Sequence, residues 1–374
     1  MESERPAQLY VHIPFCPSKC PYCAFVTRVG SLKLLPPYLE SLKAEFDLLA
    51  SHSPGAALET VYLGGGTPSL MSPAQLSDLL TAAQDAFGLR NDAEISLEAH
   101  PETVDEAVLD GFRRAGANRL SFGVESMRER ELAALGRSYN RYRVAQLVHM
   151  ARRAGFSSLN LDLMYGVPEQ TLDSWQDSLL RVLELRPEHL SLYPLSIEPA
   201  SVFAWQDRRG LLRVPDDSRV VEMYRLARER LAEAGYQHYE IANWALPGRQ
   251  CRHNLACWHG KQYYAAGTGA HGYLVPHRYE NTRHMRRYFD AIEKRERPVA
   301  REETIDTATA SEELIILRLR LLDEGLPAER LDGRFDRDVD ELVSQGLLLR
   351  DNNVLRLAES AVPVANEVWE RFVA

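Results

Sequence analysis

Three cysteines fall within eight residues, Cys16, Cys20 and Cys23, at spacing C-x3-C-x2-C. As thiolates they are ligands for soft metals and for iron–sulfur clusters. Disulfide pairing is the weaker reading. The opening residues, Met1-Glu2-Ser3-Glu4-Arg5, are charged and no apolar run follows them, unlike a secretory signal. A reducing cytoplasm is therefore expected, where clustered cysteines are more often metal-binding or catalytic. A structural zinc ion usually takes four protein ligands. Here the other cysteines, Cys251 and Cys257, lie far along the chain. Three thiolates on a four-iron cluster would leave one iron open to a substrate or cofactor. Three unrelated buried cysteines are the bland alternative.

Such a loop needs elements to hold it. Leu9-Tyr10-Val11-His12-Ile13 reads as a short buried strand leading into it. The pattern then alternates short strands with helical stretches. Strands are predicted at 59–63, 94–98, 119–124, 159–164 and 189–193. Helices are predicted from Pro36-Pro37, from Ser72-Pro73 (Ser as cap), from Thr103, from about Leu172 and over 218–234. Repeated strand–helix units predict a parallel sheet with right-handed crossovers. In strand–helix barrels the chemistry sits at the C-terminal ends of the strands, where the cysteine loop falls. At 374 residues, 45% of them hydrophobic, the chain suits one barrel with a small appendage. No apolar run reaches transmembrane length, so no membrane anchor is expected. A net charge of −9 argues against a nucleic-acid grip over the whole surface.

The stretch Tyr10-Val11-His12-Ile13-Pro14-Phe15-Cys16…Cys20…Cys23 resembles the cluster loop of the radical S-adenosylmethionine (SAM) superfamily. More narrowly, it is similar to the branch holding anaerobic coproporphyrinogen III dehydrogenase and the HemW-type heme chaperones. The resemblance covers nearly the whole chain. It implies a partial (β/α)6 TIM-like barrel, a [4Fe–4S] cluster on Cys16, Cys20 and Cys23, and SAM chelated at the open iron beside Tyr10 and Tyr22. Gly64-Gly65-Gly66-Thr67-Pro68 lacks the Lys-Ser/Thr ending of a Walker loop. Its glycines let backbone approach a ligand closely. The family's glycine motif lies here, and its backbone meets the amino group of the SAM methionine, which implies roles for Gly65, Gly66 and Thr67.

Glu98 ends the third strand. An acid there can accept hydrogen bonds from a ribose diol, and the family's ribose-binding acid stands at this position. Glu125 stands where the family often has Gln, which keeps the acceptor and loses the amide donors. Arg137 matches a family Arg that reaches a SAM carboxylate, a partner suited to its fork. Asp162 is an acid inside an apolar strand, so it must be paired, at a strand end, or functional. The family places an Asp there facing the cofactor. A plain salt bridge is the competing reading of Arg137 and Asp162.

Residues 238–284 hold six of the eleven histidines: His238, His253, His259, His271, His277 and His284. With Trp244, Trp258, Tyr263 and Tyr264 they suit a flat porphyrin, but composition alone favours packing under loops. A zinc site from Cys251, His253, Cys257 and His259 would be cramped. His253-Asn254-Leu255-Ala256-Cys257-Trp258 resembles the HNxxYW motif of the HemW-type proteins. This makes His253 the expected axial heme ligand. The motif's Tyr is Cys257 here, itself a capable heme ligand, so the identity of the ligand stays open.

The tail from about residue 305 reads as an all-helical or winged-helix unit. Ser311 is the expected cap of its first helix, 336–346 its second helix, and Asp351-Asn352-Asn353 the turn of a hairpin. It lacks a basic stripe and reads as a packing or lid module. The organisation expected is thus a barrel over 1–235, a His- and aromatic-rich segment over 236–304, and a small domain over 305–374.

Two functions compete. The dehydrogenase loop continues to a fourth Cys two residues after the third, where this chain has Phe25, and it carries a long arm where only fifteen residues precede Cys16. Together with the HNxxYW-like segment, these features favour a heme chaperone over a coproporphyrinogen III dehydrogenase. The partners implied are heme, a heme-acceptor protein, soluble or membrane-bound, and a small electron donor such as flavodoxin or ferredoxin.

Overall fold

Residues pointing to opposite faces of a strand alternate, and this alternation sets the architecture. In a computed structural model, which describes residues 5–331 and 333–373, six strands run parallel. They are β1 (Gln8–Ile13), β2 (Leu58–Gly65), β3 (Leu89–Ala99), β4 (Arg119–Glu125), β5 (Leu159–Tyr165) and β6 (His189–Pro194). Leu9, Val61, Leu63, Leu97, Leu120, Phe122, Leu161, Leu190 and Leu192 alternate outward into one continuous core shared with the helices. The intervening residues Tyr62, Glu98, Arg119, Ser121, Asn160, Asp162 and Ser191 face inward and line a cavity. A closed TIM barrel fills its interior with branched aliphatic side chains; this curved sheet keeps a polar lumen.

Three further strands, all from residues 237–266, extend the sheet at both edges. β7 (Gln237–Glu240) and β8 (Asn243–Ala245) join antiparallel beyond β6, and β9 (Tyr264–Ala266) joins parallel beside β1. The order is β9-β1-β2-β3-β4-β5-β6-β8-β7, an open sheet of nine strands. Between β8 and β9 the helix Arg252–Trp258 packs against β2 and carries the HNxxYW-like residues.

Helix starts follow capping chemistry, and two differ from expectation. Ser72 and Gln75 form a capping box at Pro73–Phe87. After β3 the helix starts at Glu106, not Thr103, because the Asp105 carboxylate accepts from the Val108 N–H at 2.9 Å, while the Thr103 N–H closes a turn onto the His100 carbonyl. The first tail helix is Thr307–Leu319, capped by Asp306 and not by Ser311; Asp306 accepts from the Thr309 N–H at 2.8 Å. A charged short side chain at each true cap serves several free N–H groups and the helix dipole together.

The tail also holds the helix Asp336–Ser344 and a three-stranded antiparallel sheet in the order Leu326–Pro327, Val354–Leu357, Leu348–Asp351. This is a winged-helix-like unit. Its hairpin turns at Asn352 and Asn353, both with positive φ, as a two-residue primed turn requires. Arg320 joins the tail to the sheet: its guanidinium lies 4.2 Å over the Trp258 ring and 3.5 Å from the Glu240 carboxylate. Among the described residues, no helix is long and apolar enough to cross a membrane.

Candidate functional site

A cavity of about 350 Å³ opens at the C-terminal ends of β1–β6. Cys16, Cys20 and Cys23 lie on its wall, on the loop after β1. All three are free thiols, partly exposed. Burial raises the pKa of Cys16 and Cys20; the Arg137 charge opposes the rise at both, and a hydrogen bond from Thr67 helps at Cys16. Metal ligation removes these protons. Among the described residues no three His, Cys, Asp or Glu side chains converge on a single-ion centre. A four-iron cluster spreads its thiolates over three irons and does not need that convergence, so the donor set and its shared wall fit such a group.

The glycine loop meets the cysteine loop at the end of β2. His12 lies opposite Gly64 and Ile13 opposite Gly65. A Cβ on Gly65 would stand 2.3 Å from the His12 ring, and one on Gly66 would stand 2.7 Å from the Phe15 carbonyl oxygen. Gly65 also has φ +107°. Glycine is therefore required here by close approach of two strand ends, quite apart from any ligand. The Gly65 N–H donates to Glu98 Oε2 at 2.9 Å, and the Tyr62 hydroxyl donates to Glu98 Oε1 at 3.0 Å. Burial raises the Glu98 pKa against these two donors.

Arg137 and Glu125 form a nearly buried ion pair, Nη2 to Oε1 at 2.6 Å, with side chains 12% and 10% exposed. Arg137 also donates to the Tyr22 hydroxyl at 2.9 Å. Burial disfavours the guanidinium charge, but Glu125 together with Tyr139, Tyr22 and Cys20 more than offsets it, and the net shift is upward. Glu125 sits at φ 60°, where the β4–β5 register slips. The slip turns its carboxylate towards Arg137. The positive field of Arg137, after burial, also holds His100 down at about 4.

Asp162 is half-buried and faces the cavity. It accepts from Asn160 Nδ2 at 2.7 Å and from the Ser121 hydroxyl at 3.2 Å. Burial, followed by the charges of Glu125 and Glu98, pushes it up to about 7. From Asn160 a chain of hydrogen bonds descends through the lumen: Asn160 Oδ1 to His189 Nδ1 at 2.7 Å, then His189 Nε2 to the Tyr239 hydroxyl at 2.8 Å. The Cys251 N–H reaches that hydroxyl at 3.4 Å. Cys251 precedes the helix Arg252–Trp258, whose first N–H groups are taken by Glu94 at 3.2 Å each. The helix thus forms the floor of the lumen, tied to Asp162 by side chains.

The cavity wall gathers Cys16, Cys20, Cys23, Tyr22, Gly65, Gly66, Thr67, Glu98, Glu125, Arg137 and Asp162. Two expected residues are elsewhere. The Tyr10 hydroxyl, behind the wall, is 3.0 Å from His12 Nδ1. His253 lies in the floor, 6% exposed, with Nδ1 at 2.8 Å from the Thr60 hydroxyl and its ring 5.3 Å from that of Tyr62. Burial and then Arg119 lower its pKa to about 3, so the imidazole is neutral. Its neighbour Asn254 does reach the cavity. Sequence reading passed over Tyr62, Arg119, Ser121, Asn160, Ser191, Tyr193 and Asn254. The signal for Tyr62, Ser121, Asn160 and Ser191 was present: each is a polar residue in inward register between apolar ones. Arg119 is a buried cation on the lumen wall whose Nε has no hydrogen-bond partner among the described residues.

The family model for the Radical SAM superfamily matches residues 10–182. Two similar chains are each called heme chaperone HemW. That of Lactococcus lactis subsp. lactis (strain IL1403) is 33% identical over 378 residues, covering 99% of this chain and 98% of its own. That of Escherichia coli (strain K12) is 34% identical over 383 residues, covering 99% and 98%. Among solved structures, the coproporphyrinogen III oxidase HemN from Escherichia coli, described as a radical SAM enzyme, superposes with a TM-score of 0.85 at 25% identity, over 99% of this chain and 90% of that one. The chain therefore belongs to the radical SAM superfamily and, within it, to the family of the HemW heme chaperones.

Proposed function

We propose that this chain is a heme chaperone that holds a [4Fe–4S] cluster on Cys16, Cys20 and Cys23, SAM beside it, and heme that it passes to an acceptor protein. The observation that carries the reading is the meeting of three free thiols with the Gly65–Thr67 loop, Glu98, Arg137 and Asp162 on one cavity wall, in a chain whose relatives are named heme chaperones. When bound, a cluster with an open iron supplies a one-electron donor next to SAM. The residues of the chain do the rest. Glu98 offers carboxylate oxygen towards the cavity while Gly65 and Tyr62 fix its orientation. Arg137 provides the cation for a ligand carboxylate, and Asp162 offers either a carboxylate or a carboxylic acid near neutral pH. Heme ligation by His253 would take the helix Arg252–Trp258 away from Thr60 and Tyr62; the neutral imidazole then has a lone pair for iron. Reduction by a small electron-carrier protein belongs to this reading.

The likeness to HemN favours a second reading, oxidative decarboxylation of coproporphyrinogen III. Against it stands Phe25, which lines the cavity at the place of the dehydrogenase's fourth Cys. One anaerobic preparation with reconstituted cluster separates the two. Heme titration is expected to give a saturable Soret band. Coproporphyrinogen III with SAM and reductant is expected to give no protoporphyrinogen. Product in the second arm overturns the chaperone reading.

A further inference from the structure

The lumen holds a buried cation without a partner. Arg119, 3% exposed, lines it at the start of β4. Among the described residues its guanidinium has no hydrogen bond and no ion pair, and its Nε is sealed from solvent. Burial disfavours its charge, but Cys251, Glu94, Tyr62 and Tyr239 more than offset it, and the net shift is upward. The carboxylates nearest in register are already engaged. Glu94, one rung below, takes the Cys251 thiol at 3.5 Å and the Arg252 and His253 N–H groups at 3.2 Å each. Glu98, one rung above, takes the Gly65 N–H and the Tyr62 hydroxyl. Ser96, paired with Arg119 in register, has a buried hydroxyl that also lacks a partner among the described residues.

A buried charge is costly unless an opposite charge and hydrogen bonds meet it. Here the chain supplies neither, so the fitting partner is an anion from outside. The site selects its kind. A guanidinium fork matches a carboxylate through two parallel hydrogen bonds. Glu98, Glu125 and Asp162 share the lumen and oppose a doubly charged phosphate. A phosphate also calls for a cradle of free backbone N–H groups, and Arg119 stands on a strand paired on both sides. A singly charged carboxylate is left. His253 indicates what carries it. After burial, the Arg119 charge is what holds the His253 imidazole neutral, and the His253 ring lies 5.3 Å from that of Tyr62, itself a lining residue. A neutral imidazole beside a carboxylate seat suits a macrocycle with iron at its centre and carboxylates on its rim.

We infer that Arg119 is a carboxylate seat at the inner end of the lumen, and that it takes a propionate arm of heme. The inference rests on the heme reading above. The movement of the helix Arg252–Trp258 that frees His253 also uncovers this rung, because Glu94 beneath it holds the first N–H groups of that helix. The plain alternative is a counter-charge for Glu94. Such a role acts on folding alone and does not tell one ligand from another.

The test uses the full chain with reconstituted cluster and three probes: heme, heme dimethyl ester, in which both carboxylates are blocked, and sodium propionate. Heme and its ester are followed by the Soret band, propionate by isothermal titration calorimetry. The parent is expected to bind heme at least tenfold more tightly than the ester, as a charge-assisted hydrogen bond in a site removed from water predicts. Arg119→Gln is expected to weaken heme binding at least tenfold, to leave the ester within twofold of the parent, and to keep the cluster absorbance. Arg119→Lys, which restores the charge without the fork, is expected to recover part of the heme affinity. Equal binding of heme and ester by the parent overturns the inference, and that comparison needs no variant. So does a loss of heme and ester alike in Arg119→Gln, the signature of a merely structural cation. A parent that takes up neither heme nor ester sinks the chaperone reading. In that case propionate binding that is lost in Arg119→Gln leaves the carboxylate seat standing, with a small free carboxylate as its source, and no propionate binding by the parent overturns the seat as well.

Discussion

At the mouth of the cavity, Lys19, Cys23 and Phe25 present side chains with no hydrogen bond or ion pair among the described residues, whereas at its floor Glu94 and His189 have both polar atoms engaged. The two regions come from the residue types that look most reactive in the sequence, cysteine and histidine. Their surroundings separate them. The mouth loop is held by its backbone, through Gly65, Gly66 and the His12 ring, which lies 2.9 Å from the Val26 carbonyl, and this leaves its side chains available. The floor is held by its side chains, which leaves few spare. Groups with open valence near a cavity bind ligands; groups locked in a buried network fix the shape that binds them.

Asp162 joins the two regions, and its titration gives the largest effect expected. Its ordinary pKa is 3.8 and the folded chain holds it at about 7. Between these values the folded protein keeps a proton that the unfolded chain has lost. Stability should therefore fall as pH rises from about 4 to about 7 and level off above, with a ceiling of about 4 kcal/mol at 1.36 kcal/mol per pKa unit. Glu45, fully buried and also raised to about 7, adds a slope of the same sign. Asp162→Asn keeps an acceptor for Asn160 and Ser121 and removes the charge. Thermal melts from pH 5 to 8 should show a flatter profile and a higher midpoint at pH 8 for the variant. An identical slope in parent and variant would mean that Asp162 is charged throughout.

The contrast between regions is sharpened at His253. If it is a floor residue, His253→Ala removes a buried ring, its bond to Thr60 and its contact with Tyr62. A loss of about 2–4 kcal/mol follows, as for other large-to-small changes in packed sites. Cluster absorbance after reconstitution at low temperature should persist, since the thiols are held elsewhere. Loss of the Soret band with stability within about 0.5 kcal/mol of the parent would instead make His253 a ligand first and a floor residue second.

The parallel strands and the cysteine loop were legible because both are local: alternation is carried within six residues and the thiols within eight. The apolar positions of β1–β6 named their own outer faces. What their polar alternates would meet was not legible, because Asn160 finds His189 and Ser191 only through the β5–β6 register. β9 was hidden for a related reason. Tyr264-Ala265-Ala266 is too short to announce a strand, and it forms one by completing the exposed edge of β1. His253 was legible as a motif residue, but nothing in its type or spacing says whether a histidine faces a ligand or a threonine. The misplaced start at Ser311 came from choosing a hydroxyl cap when Asp306 stood five residues before it, and the start at Thr103 passed over Asp105, the cap two residues on.

Glu125 gives the smallest effect, and the one most particular to this chain. Where the family often carries Gln, this carboxylate occupies Arg137 at 2.6 Å. Any ligand carboxylate that comes to Arg137 must share the guanidinium with an anion already in place, and the positive φ and register slip at Glu125 hold that anion there. Gln at the same position keeps a neutral acceptor for Arg137 and restores the amide donors, so the cation is no longer neutralised. A charge-assisted bond regained in a nearly dry site is worth about 1.5–3 kcal/mol, and reorientation of Tyr22 and Arg137 takes back part of it. Glu125→Gln is therefore expected to tighten SAM binding about tenfold, equal to about 1.4 kcal/mol, measured by equilibrium dialysis against reconstituted protein. Addition of 5′-methylthioadenosine, which lacks the carboxylate, should show no such gain. If both ligands gain alike, the change acts through the adenosine side and Arg137 is not the carboxylate partner. If neither gains, the Glu125–Arg137 pair belongs to the framework of the mouth, and the distinction between an open mouth and a locked floor stops short of this pair.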